Sequence, residues 1–156
     1  MLNPSVVPPS WLGSRAEPRN SFGRLSDTYR VVAFDARGSG QSEGRPPFTH
    51  EQWAADLDGL REWTGAEQVC VAGGSYGGFM ATWLAANHGE RFRGFCSERA
   101  VNNLVSEEWS SDIGTAFRTE HGPLYIDDAA TYEARSPIQK IRDIDTPMLL
   151  IHSEED

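Results

Sequence analysis

The chain has 156 residues, of which 38% are hydrophobic, so it is long enough for a single domain with a real core. Its 23 acidic residues outnumber its 14 basic residues and give a net charge of −9. That charge argues against nucleic acid or an anionic membrane as a partner. No run approaches 18 apolar residues, and no basic and apolar signal segment follows Met1. These features predict a soluble, cytoplasmic protein.

The two cysteines, Cys70 and Cys96, both lie in apolar runs that are typical of strands. A disulfide between them is one alternative. Free, buried thiols in a reducing compartment are the interpretation that we favour.

The first third of the chain predicts an irregular segment, a strand and a turn. Residues 1–29 hold four prolines among scattered serines and arginines, so we expect no regular structure there. The apolar run at residues 31–34 predicts a strand. It ends in the turn sequence D-A-R-G-S-G-Q-S at residues 35–42.

A helix is predicted to follow this turn. Thr49 and Gln52 have the spacing of a capping box, and the apolar periodicity continues the helix through Trp63. Trp53 and Trp63 have two interpretations, as ligand contacts or as core residues. We favour the core.

The stretch at residues 69–80 carries the strongest chemical signal. A β-branched run ends in glycines, and Gly73 to Gly77 fit G-x-S-x-G, the strand-to-helix turn called the nucleophile elbow. Such a turn exposes the hydroxyl of Ser75 at the carboxyl end of the strand. We expect glycine at both flanking positions because side chains there would collide with the crossing backbone. The alternative is an ordinary glycine-rich turn that holds a serine by chance.

The second half of the chain predicts further strands and helices. Strands are expected at residues 92–96 and 147–152, and weak helical character at residues 107–118. Two short helical pieces are expected at residues 132–135 and 136–141. Strands that alternate with helices imply a parallel sheet, and chemistry in such sheets gathers at the carboxyl ends of the strands.

In this order the segments resemble the α/β-hydrolases. The turn at residues 35–42 is similar to that of proline iminopeptidases. The sequence G-G-S-Y-G-G-F-M at residues 73–80, with S-D-I-G at 111–114 and the last strand through 156, resembles the catalytic domain of the prolyl oligopeptidase family. Acylaminoacyl-peptidases and dipeptidyl-peptidases look most similar. The resemblance covers residues 30–156 and implies a three-layer, parallel-sheet α/β-hydrolase fold that is incomplete at both ends.

The resemblance also implies roles for single residues. Ser75 would be the nucleophile that forms an acyl-enzyme with a peptide or acyl-peptide substrate, and the backbone N–H of Tyr76 an oxyanion donor. Asp156 matches the acid of the triad, with a solvated loop carboxylate as the alternative. Trp109 and Phe117 are candidates for a substrate pocket, with ordinary packing as the alternative. No metal and no cofactor are expected.

Three departures from the family pattern stand against these matches. The family order is Ser, Asp, His, but the four histidines all precede Asp156: His50, His88, His121 and His152. Residues 1–29 contain no counterpart of the strand and loop that supply the second oxyanion donor, and the chain has no propeller domain. We therefore expect a piece of a serine peptidase that is inactive alone, with exposed sheet edges through which it self-associates.

Three functions remain open at this point. The first is hydrolysis of peptide or acyl-peptide bonds through Ser75 in the parent protein. The second is a non-catalytic remnant or binding module. The third is ester hydrolysis, because an elbow serine and a triad acid do not distinguish an ester from an amide.

Overall fold

The computed structural model describes residues 4–5, 25, 27–38, 40, 42–45, 48–114 and 124–154. The chain divides into two compact units, Met1–Asp56 and Leu57–Asp156, and each is described separately.

The first unit contains two short strands. Strand β1, Pro4–Ser5, pairs antiparallel with β2, Ala33–Phe34. The strand predicted at residues 31–34 therefore begins two residues later than expected. The segment predicted to be irregular contains β1, and its proline is compatible with a strand at the edge of a sheet.

The turn after β2 is held by polar contacts within the first unit. The Nε of Arg37 donates a 2.9 Å hydrogen bond to Asp56 Oδ2, and its Nη2 pairs with Oδ1 of the same carboxylate. Ser42 Oγ donates to the carbonyl of Asp35 at 2.8 Å. Gly40 has a φ of 52°, and a Cβ there would overlap the Asp35 carboxylate. Glycine is therefore required at position 40 by the geometry of the turn.

Helix α1, His50–Thr64, begins with the predicted capping box. The Thr49 N–H donates to Gln52 Oε1 at 2.9 Å, and the Gln52 N–H donates to Thr49 Oγ1 at 3.2 Å. The core prediction is wrong for Trp63, which is 50% exposed. This residue lies in the last turn of the helix, beyond Leu60, where the buried face of the helix ends.

The second unit contains a three-stranded parallel sheet. Its strands are β3, Cys70–Gly74; β4, Gly94–Glu98; and β5, Met148–Ile151. Their order in space is β3-β4-β5. Gly74 pairs with Glu98, and Glu98 pairs with Ile151, so the carboxyl ends of all three strands lie at one edge. The predicted parallel sheet is confirmed, with β4 two residues later than expected.

The helices of the second unit connect these strands. Helix α2, Tyr76–His88, joins β3 to β4 and is followed by a 3₁₀ turn, Gly89–Arg91. Helices α3, Leu104–Ser110, and α4, Ala129–Arg135, lie between β4 and β5, with a 3₁₀ segment at Pro137–Asp143. None of the helices in the described ranges is long and apolar enough to cross a bilayer.

Helix α2 forms the core of the second unit because it is apolar on almost every face. Phe79, Ala81 and Leu84 are at most 1% exposed, and the helix packs against β3 and β4. The rings of Phe92 and Phe95, with centroids 5.3 Å apart, add to the same core. Burial of this kind is the main stabilising contribution to the unit.

The edge strands of this sheet are more exposed than the sequence predicts. Both cysteines are free, but the prediction of burial is wrong for Cys70, which is exposed, while Cys96 is half-buried. Burial, with a smaller contribution from the Glu98 carboxylate, raises the pKa of the Cys96 thiol. Cys70 begins an edge strand whose only described neighbour is β4, and this accounts for its exposure.

Candidate functional site

Ser75 lies between the last residue of β3 and the first residue of α2. Its backbone has a φ of 56° and a ψ of −122°, a conformation that non-glycine residues rarely adopt. The side chain is exposed at the carboxyl edge of the sheet. The predicted strand, serine turn and helix are therefore all present, and the strand–serine–helix segment is called the Ser75 turn below.

The glycines around Ser75 do not share one role. A Cβ on Gly73 would overlap the carbonyl of Gly77, so glycine is required there for the predicted reason. The same prediction is wrong for Gly77, where a Cβ would have no neighbour within 4 Å among the described residues. Gly78, which the prediction missed, would place a Cβ 2.6 Å from the carbonyl oxygen of Glu98 and 2.9 Å from the Cβ of Ala100.

Strand β4 holds the Ser75 turn through the backbone. The Ser75 N–H donates a 2.9 Å hydrogen bond to the carbonyl of Glu98, which continues the β3–β4 ladder one residue past β3. The Phe79 N–H then donates to the carbonyl of Ser75 at 3.0 Å and closes the first turn of α2. Tyr76, the first residue of the helix, packs its ring on Phe79, with centroids 5.3 Å apart.

The amino end of α2 gives this edge of the sheet a positive character. The first N–H groups of a helix have no partner within the helix, and the helix dipole adds to their partial positive charge. The N–H of Tyr76 belongs to this group because Tyr76 is the first helical residue. An anion that forms beside Ser75 would be stabilised here.

A charged pair that sequence reasoning missed lies beside the turn. Glu98 is the last residue of β4 and Arg99 follows it in the chain. Arg99 Nε lies 3.6 Å from Glu98 Oε1. Both side chains come within 3.8 Å of a Cβ built on Gly74. Arg99 has a φ of 48°, and it shares this backbone strain only with Ser75 among the non-glycine residues described. The sequence signal that could have identified this pair is its position directly after a predicted strand of the parallel sheet.

A cleft of about 280 Å³ opens at the same edge, between the carboxyl ends of β4 and β5. It is lined by Ser97, Ala100, Asn102, Leu150, Ile151 and His152. The residues predicted for a pocket are not among these. Trp109 lies on α3 and is 63% exposed, and Phe117 lies outside the described residues. The pocket role of these two residues stays a prediction.

The remaining predicted residues are placed as follows. Asp156 and His121 lie outside the described residues. His88 is the last residue of the 13-residue helix α2, so its backbone lies about 20 Å from Ser75. His152 follows β5 directly and is exposed. At a strand spacing of about 4.8 Å, its backbone lies roughly 10 Å from Ser75. His88 therefore lies too far from Ser75 for a hydrogen bond, and both histidines precede Asp156 in the chain.

Comparison with known proteins connects this geometry to a family. The sequence profile of the prolyl oligopeptidase family matches residues 51–156, which is more than half of the chain. The chain belongs to the prolyl oligopeptidase family. The matched range includes all three strands of the second unit and the Ser75 turn.

Individual members of the family and of the wider fold are also similar. The chain is 42% identical over 79 residues to the proline iminopeptidase PfmaB of Pestalotiopsis fici, which covers 49% of this chain and 28% of that protein. It is 34% identical over 101 residues to dipeptidyl-peptidase 5 of Porphyromonas gingivalis, with 58% and 14% covered. The chain therefore spans less than a third of the length of these relatives.

A solved structure shows the fold. The acylaminoacyl peptidase of Pyrococcus horikoshii superimposes with a TM-score of 0.69 and 28% identity over 86% of this chain and 24% of that one. The predicted α/β-hydrolase fold is confirmed, and this chain holds part of it. The predicted resemblance to acylaminoacyl- and dipeptidyl-peptidases is confirmed as well.

Proposed function

We propose that the protein is a serine hydrolase that cleaves peptide or acyl-peptide bonds through an acyl-enzyme on Ser75. The observation that carries the proposal is the backbone of Ser75, held at a φ of 56° between β3 and α2 at the carboxyl edge of the sheet. The names of the relatives, which include an iminopeptidase, a dipeptidyl-peptidase and an acylaminoacyl peptidase, support the peptide substrate.

In this proposal the Ser75 turn is a nucleophile elbow. The Ser75 hydroxyl oxygen attacks the carbonyl carbon of the scissile bond, and a general base takes the hydroxyl proton. The carbonyl oxygen becomes an oxyanion that accepts a hydrogen bond from the Tyr76 N–H. The C–N bond then breaks, the amine leaves with the proton, and water hydrolyses the ester on Ser75 by the same steps.

Asp156 is proposed as the acid of the triad. It follows β5, whose carboxyl end shares the edge of the sheet with Ser75, and β4 lies between the two strands. The base is proposed to be a histidine that follows Asp156, as the order of the triad in this fold requires. His88 is a poor alternative because of its distance from Ser75, and His152 because it precedes Asp156 in the chain.

Labelling with a fluorophosphonate tests the proposal. A product of the same coding sequence that carries a histidine after Asp156 is expected to label on Ser75 and to hydrolyse chromogenic acyl-peptides. Ser75→Ala removes both reactions. Ser153→Ala, which changes another exposed serine at the same edge, leaves them intact. If the longer product stays inert, the protein is a non-catalytic member of the family or a binding module.

Ester hydrolysis is the second chemical alternative, and the same material tests it. The elbow and the acid act identically on an ester and an amide. Hydrolysis of matched acyl esters with no measurable hydrolysis of acyl-peptides would replace the peptidase proposal by an esterase.

We also propose that the protein self-associates through the exposed side of β5. Leu149, Leu150 and Ile151 are 57%, 59% and 44% exposed, and β4 is the only described strand that pairs with β5. An exposed apolar edge strand invites pairing with a second copy. Leu150→Lys is expected to abolish concentration-dependent association in sedimentation.

We propose that the protein is cytoplasmic. Its two free cysteines are typical of proteins in a reducing compartment. Cell fractionation tests this location.

A further inference from the structure

Two buried hydroxyl groups meet one carbonyl beneath the Ser75 turn. Ser97 Oγ donates a 2.9 Å hydrogen bond to the carbonyl of Gly78. Thr82 Oγ1 lies 3.2 Å from the same carbonyl oxygen and 3.0 Å from Ser97 Oγ, and its hydroxyl can donate to either acceptor. Ser97 and Thr82 are each 2% exposed. The three groups form a closed, buried network, called the hydroxyl clamp below.

The clamp joins the first turn of α2 to β4. Gly78 belongs to α2, and Ser97 is the residue before the last one of β4. On the same side, the Ser75 N–H bonds to the Glu98 carbonyl, and Gly78 packs without a Cβ against the Glu98 backbone. The end of β4 therefore makes three contacts with residues 75–78: one with the Ser75 N–H, one with the Gly78 carbonyl and one with the Gly78 Cα.

We infer that Ser97 and Thr82 are positioning residues for Ser75 and Tyr76. Gly78 follows Tyr76 by two residues on one rigid helical turn, so a shift of its carbonyl moves the Tyr76 N–H and the Ser75 hydroxyl with it. The strained φ of Ser75 persists only where surrounding contacts fix it. The clamp supplies such contacts. Loss of one of its buried hydroxyls would remove a hydrogen-bond donor from the Gly78 carbonyl at a position with little access to water. The catalytic meaning of this inference rests on the proposed function.

Amide exchange in the chain itself tests the inference without requiring catalysis. The reporters are the amide protons of Ser75 and Phe79, which both donate hydrogen bonds within the turn. Ser97→Ala and Thr82→Val are expected to raise the exchange rates of these two protons about tenfold. Thr82→Ser, which keeps the hydroxyl, is expected to behave like the wild type.

Ser136→Ala is the matched control. Ser136 is a second buried serine of the same unit, 3% exposed, and its Oγ accepts a hydrogen bond from the Leu104 N–H at 3.1 Å. We expect this change to raise exchange at Leu104 and not at Ser75. The inference is overturned if Ser97→Ala and Thr82→Val raise exchange evenly through the unit or leave Ser75 and Phe79 unchanged. The contrast between Thr82→Val and Thr82→Ser decides the matter even if Ser97→Ala does not fold.

Phosphonylation of Ser75 separates this inference from the proposed function. In a protein that labels, Ser97→Ala is expected to lower the maximal labelling rate about tenfold with little change in the half-saturating concentration of the fluorophosphonate. An equal rate in Ser97→Ala and wild type would overturn the positioning role. Selective exchange at Ser75 in a protein that never labels would support the clamp and contradict the hydrolase.

Discussion

The backbone N–H of Ser75 donates a hydrogen bond to the carbonyl of Glu98, 2.9 Å away on the neighbouring strand. Sheet pairing thus continues one residue beyond β3, to the residue at which the backbone turns from strand to helix. A serine with positive φ at the end of an unpaired strand would relax to a commoner conformation. Here the ladder and the helix hold it from both sides.

The two glycines after Tyr76 are expected to respond in opposite ways to alanine. Gly78→Ala should lower the free energy of unfolding by about 2 kcal/mol, because the added Cβ meets the Glu98 carbonyl and Ala100. Gly77→Ala should raise it by about 0.5 kcal/mol, since its Cβ has open space and alanine favours the helix. Urea denaturation of both variants measures the difference. Equal destabilisation would contradict the geometry described for Gly77.

Ser75→Gly is expected to yield a more stable protein that does not react. Glycine adopts a φ of 56° without the steric cost that serine bears, and this difference exceeds the entropy that glycine loses on folding. We expect a gain of about 1 kcal/mol in the free energy of unfolding. Ser75→Ala is the matched control, because it removes the hydroxyl but keeps the strain. Thermal unfolding in which the two variants have the same midpoint would show that Ser75 is not strained.

The 156-residue chain, expressed alone, is expected to label slowly with a fluorophosphonate. Its four histidines all precede Asp156, and serine without its general base is a weak nucleophile. Loss of the base in known triads lowers kcat on the order of a millionfold. Rapid stoichiometric labelling that Ser75→Ala abolishes would show that one of these four histidines supplies the base. Single histidine variants would then identify it.

The Tyr132 hydroxyl is expected to make the free energy of unfolding depend on pH in the alkaline range. Burial, followed by a hydrogen bond with Glu108, raises the pKa of Tyr132 to about 12. In the unfolded chain the pKa of tyrosine is about 10. Between these values the folded state binds more protons than the unfolded state, so the free energy of unfolding falls as the pH rises from about 10 to about 12. Below pH 10 the contribution is fully present.

Tyr132→Phe provides the control for this pH dependence. The variant has no titrating hydroxyl at this position, so its free energy of unfolding should fall less steeply over the same range. Parallel curves for wild type and variant, measured by urea denaturation at successive pH values, would contradict the raised pKa of Tyr132.

Local sequence patterns predicted the elements whose signals are complete within a few residues. The capping box at Thr49 and Gln52 and the strand–serine–helix order around Ser75 follow from hydrogen-bond chemistry and glycine spacing. Contacts between distant segments could not be predicted in the same way. The role of Gly78 depends on Ala100 and Glu98, which only the sheet register brings beside it. Exposure of Trp63 and Cys70 likewise depends on which neighbours cover an apolar residue.

The strands of the second unit lie in space in the order in which they occur in the chain. The β3–β4 pairs join residues 24 positions apart, whereas the β4–β5 pairs join residues 53 positions apart, so β3 and β4 can pair first. The clamp contacts between Ser97 and Gly78 join residues only 19 positions apart. Contacts at such short separation form faster than the β4–β5 pairing does. The conformation of Ser75 is thus fixed by contacts that are all available to the nascent chain once Ala100 has left the exit tunnel, before β5 has been made.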